Sequence, residues 1–287
     1  MHPPKSPVVA MWMLALRLRR RREQLGIDVK FITGAMDFTR NYWSAVENER
    51  KLLSEDALVK LLDLLEFDKD ERRELLELRT FAKQRGWWTQ YAGLLDANGQ
   101  RLYGLEAGAD GIRDYESLVV PGLLQTPDYA RAIMTPDVTV RQVEVDQLVE
   151  LRMQRRQYLT GETPLHLTAL ISEAVLRQEI GGLDVHRRQL QHLVDAMEEH
   201  SNTIEIRVIP FTVSWCSLFG GATLHMIDFE DPNLPTQVWQ ETVTARGFVD
   251  DRTLVRDITT AYSDTFRLTL TVQESLSMIR RRIEELA

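Results

Sequence analysis

The stretch Thr39-Arg40-Asn41-Tyr42-Trp43-Ser44 carries the residue types and spacing best suited to chemistry on another molecule. An arginine fork donates two parallel hydrogen bonds to the major-groove edge of guanine. An asparagine amide both donates to and accepts from adenine. Arg40 and Asn41 supply these two groups side by side, and either can contact a phosphate instead. Arg50 and Lys51 follow at a distance that suits phosphate oxygens, whose contacts position a protein without reading sequence. Thr39 can cap a helix and bond a phosphate as well. The contact set expected from this reading is Thr39, Arg40, Asn41, Tyr42, Ser44, Arg50 and Lys51.

Such residues act together only if a helix holds them on one free face. At 100° per residue, Arg40, Asn41, Ser44, Ala45 and Asn48 fall within roughly 140° of arc, and Tyr42, Trp43 and Val46 fall on the other side. An apolar side can therefore pack on Leu18, Ile32 and Leu61 while a polar side stays free. The same pattern also describes a small helical bundle with a merely solvated face, and periodicity alone leaves both readings open.

The neighbouring signals place this helix third in a series. Leu14, Leu18 and Leu25 share a stripe over 8–25, and Gly26 closes that helix. Asp28 caps 29–36, Thr39 caps 40–48, and Ser54 caps a helix in which Leu58, Leu61, Leu62 and Leu65 repeat at helical spacing. Asp68 and Glu71 have capping-box spacing for a helix over 69–85. A helix, a tight turn and a second helix is the arrangement that lays a helix in the major groove.

After Gly86-Trp87-Trp88 the pattern changes. Residues 91–102 read as loop, 115–120 as extended, and Pro121-Gly122 as a stop. Helices are expected at 126–134 and 138–159. Mixed α and β structure follows, with strands at 165–171, 204–209, 222–229 and 238–249. Helices are expected at 172–178, 185–200, 251–265 and 272–286. The expected fold is an all-α helix-turn-helix bundle over 7–85 followed by an α+β domain over 86–287.

Charge follows the same division. Up to residue 85 there are 17 basic and 14 acidic residues, whereas the whole chain is at −8. A mildly basic head on an acidic body suits a local contact with nucleic acid rather than a coat along its whole length. The one cysteine, Cys216, excludes an intrachain disulfide and suits a reducing compartment. The apolar run 8–16 is too short to span a bilayer, and its arginines follow it, contrary to a secretory leader.

Enzyme chemistry finds little support. No two histidines have the His-Glu-x-x-His spacing, and a single cysteine makes no thiolate metal site. Ser214-Trp215-Cys216-Ser217 is not a nucleophile elbow. Cys216 reads as a buried structural thiol. The expectation is a protein that is not an enzyme and holds no cofactor or metal. Trp87, Trp88, Tyr91 and Trp215 are the candidates for an aromatic ligand pocket. The alternative for such aromatics is core or interface.

Two resemblances extend this reading. The segment 26–50 resembles the helix-turn-helix of the Xre (Cro/cI-like) repressors, with Ile27, Ile32, Thr39, Val46 and Glu47 matching or substituting conservatively. It departs at Val29, where a phosphate-binding Gln is usual, at Ala45, where Arg is frequent, and at Glu49, where Gly usually ends the helix. Arg21 stands where a core Leu is usual. Three further stretches are similar to a family of actinobacterial regulators of the WhiJ type, some of them antitoxin-like. They are Arg85-Gly86-Trp87-Trp88, the run from Tyr115 through Pro121-Gly122-Leu123-Leu124-Gln125-Thr126 to Arg131, and Val208-Ile209-Pro210-Phe211. The family implies transcription control, often beside a small partner protein encoded nearby, and supplies no ligand or catalytic centre. Physically, Leu123 and Leu124 can fill a core gap and Thr126 can cap a helix with Pro127 in its first turn. The run reads as an interdomain joint.

Together these features predict a cytoplasmic, dimeric transcriptional regulator that binds double-stranded DNA, its C-terminal domain sensing a ligand or a small partner. The alternative is an antitoxin-like interaction module whose helix-turn-helix has partly degenerated.

Overall fold

In the computed structural model, residues 4–242 and 245–287 are described, and they form two compact units. The first takes the chain as far as Gln90, together with Tyr103–Gly108. The second takes Tyr91–Leu102 and Ala109–Ala287.

Five helices build the first unit: α1 (Pro7–Gln24), α2 (Val29–Met36), α3 (Arg40–Glu47), α4 (Glu55–Leu64) and α5 (Lys69–Ala82). Each begins at a side-chain cap, respectively Ser6, Asp28, Thr39, Ser54 and Asp68. Asp68 and Glu71 complete a capping box. These caps satisfy amide protons that the first turn of a helix leaves without partners. Gly26, at φ +65°, ends α1 in the left-handed conformation that a glycine adopts without strain. Leu18, Ile32, Trp43, Leu58, Leu61 and Leu75 fill the core between the helices.

The arginines of α1 serve this bundle. Arg17 pairs with Glu74 of α5 at 2.8 Å. Arg21 donates to the carbonyls of Leu65 and Glu66 at 3.0 and 2.6 Å, where α4 ends. Arg19 donates to the carbonyl of Glu47, at the end of α3. Cations at helix C-termini satisfy orphan carbonyls and oppose the helix dipole. Arg21 thus holds the end of α4 and lies over the Phe67 ring.

A sixth helix, α6 (Ala97–Glu106), takes the second half of the loop expected over 91–102, and 92–96 stay without regular structure. Asn98 and Gly99 disfavour helix in isolation. The Asp96 carboxylate accepts from the Gly99 amide at 2.7 Å, and Leu102, Tyr103 and Leu105 are buried, so burial outweighs propensity.

The second unit is organised by one mixed sheet. Its strands are β1 (Gly111–Glu116), β2 (His166–Ser172), β3 (Ile204–Ile209), β4 (Thr223–Asp228), β5 (Gln237–Glu241) and β6 (Arg246–Phe248), in the spatial order β3-β2-β1-β4-β5-β6. The first three strands run parallel, and β4, β5 and β6 continue antiparallel. Its helices are α7 (Pro127–Met134), α8 (Val145–Gln154), α9 (Gln157–Thr160), α10 (Glu173–Arg177), α11 (Leu183–Glu199), α12 (Arg252–Phe266) and α13 (Val272–Glu285). Tyr115, Leu170, Met226, Val238 and Tyr262 share one core, in which Cys216 is buried as a small apolar residue. Tyr262 of α12 donates its hydroxyl to the carbonyl of Thr168 at 2.8 Å. Ser275 of α13 accepts from the amide of Val208 at 3.0 Å.

Three expectations shift here. The extended segment expected over 115–120 is β1, four residues earlier. It ends at Glu116, before the turn into Pro121. The long strand expected over 238–249 is the hairpin β5–β6, with residues 243 and 244 outside the described residues. The long helix expected over 138–159 is α8 and α9 preceded by a turn. Asp137 accepts from both the amide and the hydroxyl of Thr139, offering the backbone an alternative to helix.

The Pro121-Gly122-Leu123-Leu124-Gln125-Thr126 run lies inside the second unit. Leu123 and Leu124 are buried, and Thr126 caps α7 with Pro127 in its first turn.

Candidate nucleic-acid interface

The turn between α2 and α3 is built locally. α2 stops at Asp37, whose φ of +54° is left-handed, and the Phe38 amide reaches back to the Thr33 carbonyl at 2.9 Å. The Phe38 ring packs on Tyr42 with centroids 4.7 Å apart. Thr39 Oγ1 then accepts from the Tyr42 amide at 3.1 Å and starts α3.

α3 buries Trp43 and Val46 completely or nearly so, and it exposes Arg40 and Asn41. Arg50 and Lys51 are exposed just beyond its end. Among the described residues, the side chains of Arg40, Asn41, Arg50 and Lys51 make no hydrogen bond or ion pair. The arginines at 17, 21 and 22 are committed to the bundle, whereas Arg40, Arg50 and Lys51, on and just after α3, are left for another molecule. Five of the seven expected contact residues are exposed: Thr39, Arg40, Asn41, Arg50 and Lys51. Tyr42 and Ser44 are half-buried. Tyr42 leans on Phe38, and Ser44 is tied to Asn48, whose Nδ2 donates to the Ser44 carbonyl at 2.7 Å.

α3 ends in a Schellman motif. The Glu49 amide donates to Val46 at 3.2 Å and the Arg50 amide to Ala45 at 2.8 Å. This motif puts Glu49 at φ +58°. The position is one that glycine fills at least cost, which explains why a glycine is usual there in the repressors this segment resembles. The fold keeps the motif with glutamate.

Of the four aromatics considered for a ligand pocket, Trp87 and Trp88 belong to the first unit and Tyr91 and Trp215 to the second. Trp88 is buried in the first unit, and the indole would collide with any side chain at Gly86, where a Cβ would lie 2.1 Å from it. Trp87 packs edge-on against Trp88 and Tyr103. Tyr91 bonds Gln154 at 2.9 Å within the second unit. Trp215 is 70% exposed and meets Phe219 edge-on.

The second unit also gathers titratable groups that local sequence reading did not connect. Asp114 and Glu116 point to one side of β1, and the register sets Asp114 opposite His225 of β4. Asp114 and His225 are hydrogen-bonded and both are buried. Glu116 accepts from Thr223 Oγ1 at 2.7 Å, and burial pushes its carboxyl up to about 8, aided by Asp114 and Glu241. The sequence signal is two acids at alternating positions of one strand. Among the described residues, no group of three or more His, Cys, Asp or Glu is arranged to hold a metal ion, and no helix is long and apolar enough to cross a membrane.

Comparison with known families divides the chain along similar lines. Residues 13–75 match the model of a helix-turn-helix domain, which marks a DNA-binding regulator. Residues 100–281, more than half of the chain, match the model described as a domain of unknown function (DUF5753). No curated protein and no solved structure matches the chain.

Proposed function

We propose, for a chain that belongs to the DUF5753 family and carries an N-terminal helix-turn-helix domain, that it is a sequence-specific transcriptional regulator reading operator DNA through α3. The observation that carries this is the two-sidedness of α3. Trp43 and Val46 anchor it, while Arg40 and Asn41 stand exposed and uncommitted beside Arg50 and Lys51. In this reading, Arg40 and Asn41 contact base edges, and Thr39, Arg50 and Lys51 contact phosphates, with Tyr42 and Ser44 flanking them.

Residues 7–85 form the DNA-binding part and 86–287 the regulatory part. The protein acts in the cytoplasm as a homodimer on paired half-sites, as helix-turn-helix repressors of the Xre type do. Its C-terminal part senses a small molecule or a small protein encoded nearby, in the manner of the actinobacterial WhiJ-type regulators. It carries out no catalysis.

The test is binding of the purified chain to its own upstream DNA at two salt concentrations. Specific binding weakens steeply with salt. Arg40→Ala weakens the specific complex by about 1–3 kcal/mol and relaxes preference at one base pair. Binding that ignores DNA sequence, or that Arg40→Ala leaves unchanged, would overturn the reading.

An antitoxin-like partner module is the second reading. It is favoured by Phe211 and Trp215, which are 62% and 70% exposed on the second unit. Copurification of a small protein encoded next to this chain, lost in Trp215→Ala, would support it.

A further inference from the structure

A cavity of about 530 Å³ opens in the second unit, bordered by α9, one face of α11 and the start of β3. That volume is in the range of small-molecule sites. Leu124, Pro127, Met153, Leu159, Ala196 and Ile204 give it apolar walls. Trp87, Trp88, Tyr91 and Trp215 do not line it.

Its polar side is unusual. Arg156 approaches His192, with Nη2 3.0 Å from Nε2. A guanidinium only donates, so Nε2 accepts and the imidazole is neutral with its proton on Nδ1. Burial, and then the charge of Arg156, hold the His192 pKa below its ordinary value. Burial also lowers the Arg156 pKa. Two other partly buried arginines of this unit are ion-paired: Arg113 with Asp228 at 2.7 Å and Arg282 with Glu179 at 2.9 Å. Among the described residues, Arg156 forms no ion pair. A half-buried cation without an ion-pair partner is more costly than a solvated one, and an anion brought against it lowers that cost. Asp195 and Glu199 line the same cavity from α11. They disfavour a second negative charge on the occupant.

We propose that this cavity binds a small molecule with an apolar body and a single anionic group, a carboxylate, held by Arg156. This names the effector class for the regulator proposed above, and its role as effector rests on that reading. The binding site itself does not.

The test is calorimetric titration of the full chain with octanoate, octyl phosphate, octan-1-ol and octylammonium. Octanoate binds the wild type, and octyl phosphate, which carries about −1.5 to −2 near pH 7, binds less tightly. The other two bind more weakly. Arg156→Gln weakens the preferred anion about tenfold or more and leaves octan-1-ol unchanged, and Arg156→Lys retains part of the anion preference. Arg156→Gln also melts no lower than wild type, since it removes an uncompensated charge. Absence of anion binding to wild type, or equal anion binding by wild type and Arg156→Gln, would overturn the site while leaving the DNA reading intact. Loss of the DNA reading, conversely, would leave the site standing.

Discussion

Arg22 Nε donates to Glu47 Oε1 at 2.9 Å, and this bond joins the first helix to the end of the helix assigned to DNA reading. Both side chains are only 13% exposed. Arg22 Nη1 also holds the Ile27 carbonyl at 3.1 Å, in the turn between α1 and α2. A carboxylate at a helix C-terminus is repelled by the negative end of the helix dipole, so Glu47 is tolerated there because Arg22 neutralises it and Arg19 caps the same residue's carbonyl.

Arg22→Gln therefore leaves a shielded carboxylate without its counter-charge. The expected loss is about 1–3 kcal/mol in urea unfolding of the full chain. Glu47→Gln alone costs less, and the double variant costs less than the two single losses added together. Strict additivity would show that the pair is not energetically coupled.

Glu66 is exposed at φ +52°, at the left-handed position that closes α4. Its amide donates to Asp63 at 3.1 Å and the Phe67 amide donates to Leu62 at 3.1 Å, the two bonds of a Schellman motif. A side chain in this conformation is strained, and glycine is not. Glu66→Gly is expected to stabilise by roughly 0.5–1 kcal/mol, the relief of strain exceeding the extra freedom of glycine in the unfolded chain. A lower urea midpoint for the variant would refute this. The carbonyl of residue 66 that Arg21 holds is backbone and is retained.

The caps and left-handed positions show what a sequence makes legible. Asp28, Thr39, Ser54 and Asp68 act within three residues of themselves, so the helix starts they set can be read locally. β3 is found where alternation of Ile204, Ile206 and Val208 places it. What could not be read is decided at long range. α6 forms in spite of Asn98 and Gly99 because its apolar residues find a core. Arg156 meets His192 from 36 positions away. Asp114 meets His225 only through the pairing of β1 with β4, and no local spacing encodes that register.

Glu116 makes stability depend on pH in a predictable direction. Its folded pKa, about 8, lies above the ordinary value of 4.5. The folded chain therefore binds this proton more tightly than the unfolded chain, and unfolding releases it between those values. The contribution is fully present below pH 4.5 and is lost as pH rises through 8. The slope is at most about 1.4 kcal/mol per pH unit from this group. Thr223, Asp114, Glu241 and His225 surround it, and Glu116→Gln keeps a neutral group of the same shape among them. The variant should flatten the stability profile between pH 5 and 8, read from urea midpoints. An unchanged slope would show that the carboxyl does not bind its proton in the folded chain.

Gln189 gives the sharpest test of how the Pro121-Gly122-Leu123-Leu124-Gln125-Thr126 run is held. Its side chain, fully buried on α11, accepts from the Thr126 amide at 2.7 Å and donates to the Leu124 carbonyl at 2.8 Å. Thr126 caps α7, so a single amide side chain fixes both the end of the run and the start of the helix. Gln189→Leu fills a similar volume but strands an N–H and a C=O, each at about 1–3 kcal/mol, and is expected to cost about 2–5 kcal/mol in all. Gln189→Glu distinguishes lost hydrogen bonding from lost packing. Ionised, the glutamate still accepts from Thr126 but sets a carboxylate against the Leu124 carbonyl. Protonated, it donates there and restores both bonds. Burial raises the pKa of such a group, so Gln189→Glu should lie close to wild type in stability near pH 5 and fall away from it towards pH 8. A Gln189→Glu deficit that does not change over that range, measured against wild type at each pH, would mean that the two bonds contribute little and that packing alone positions the run.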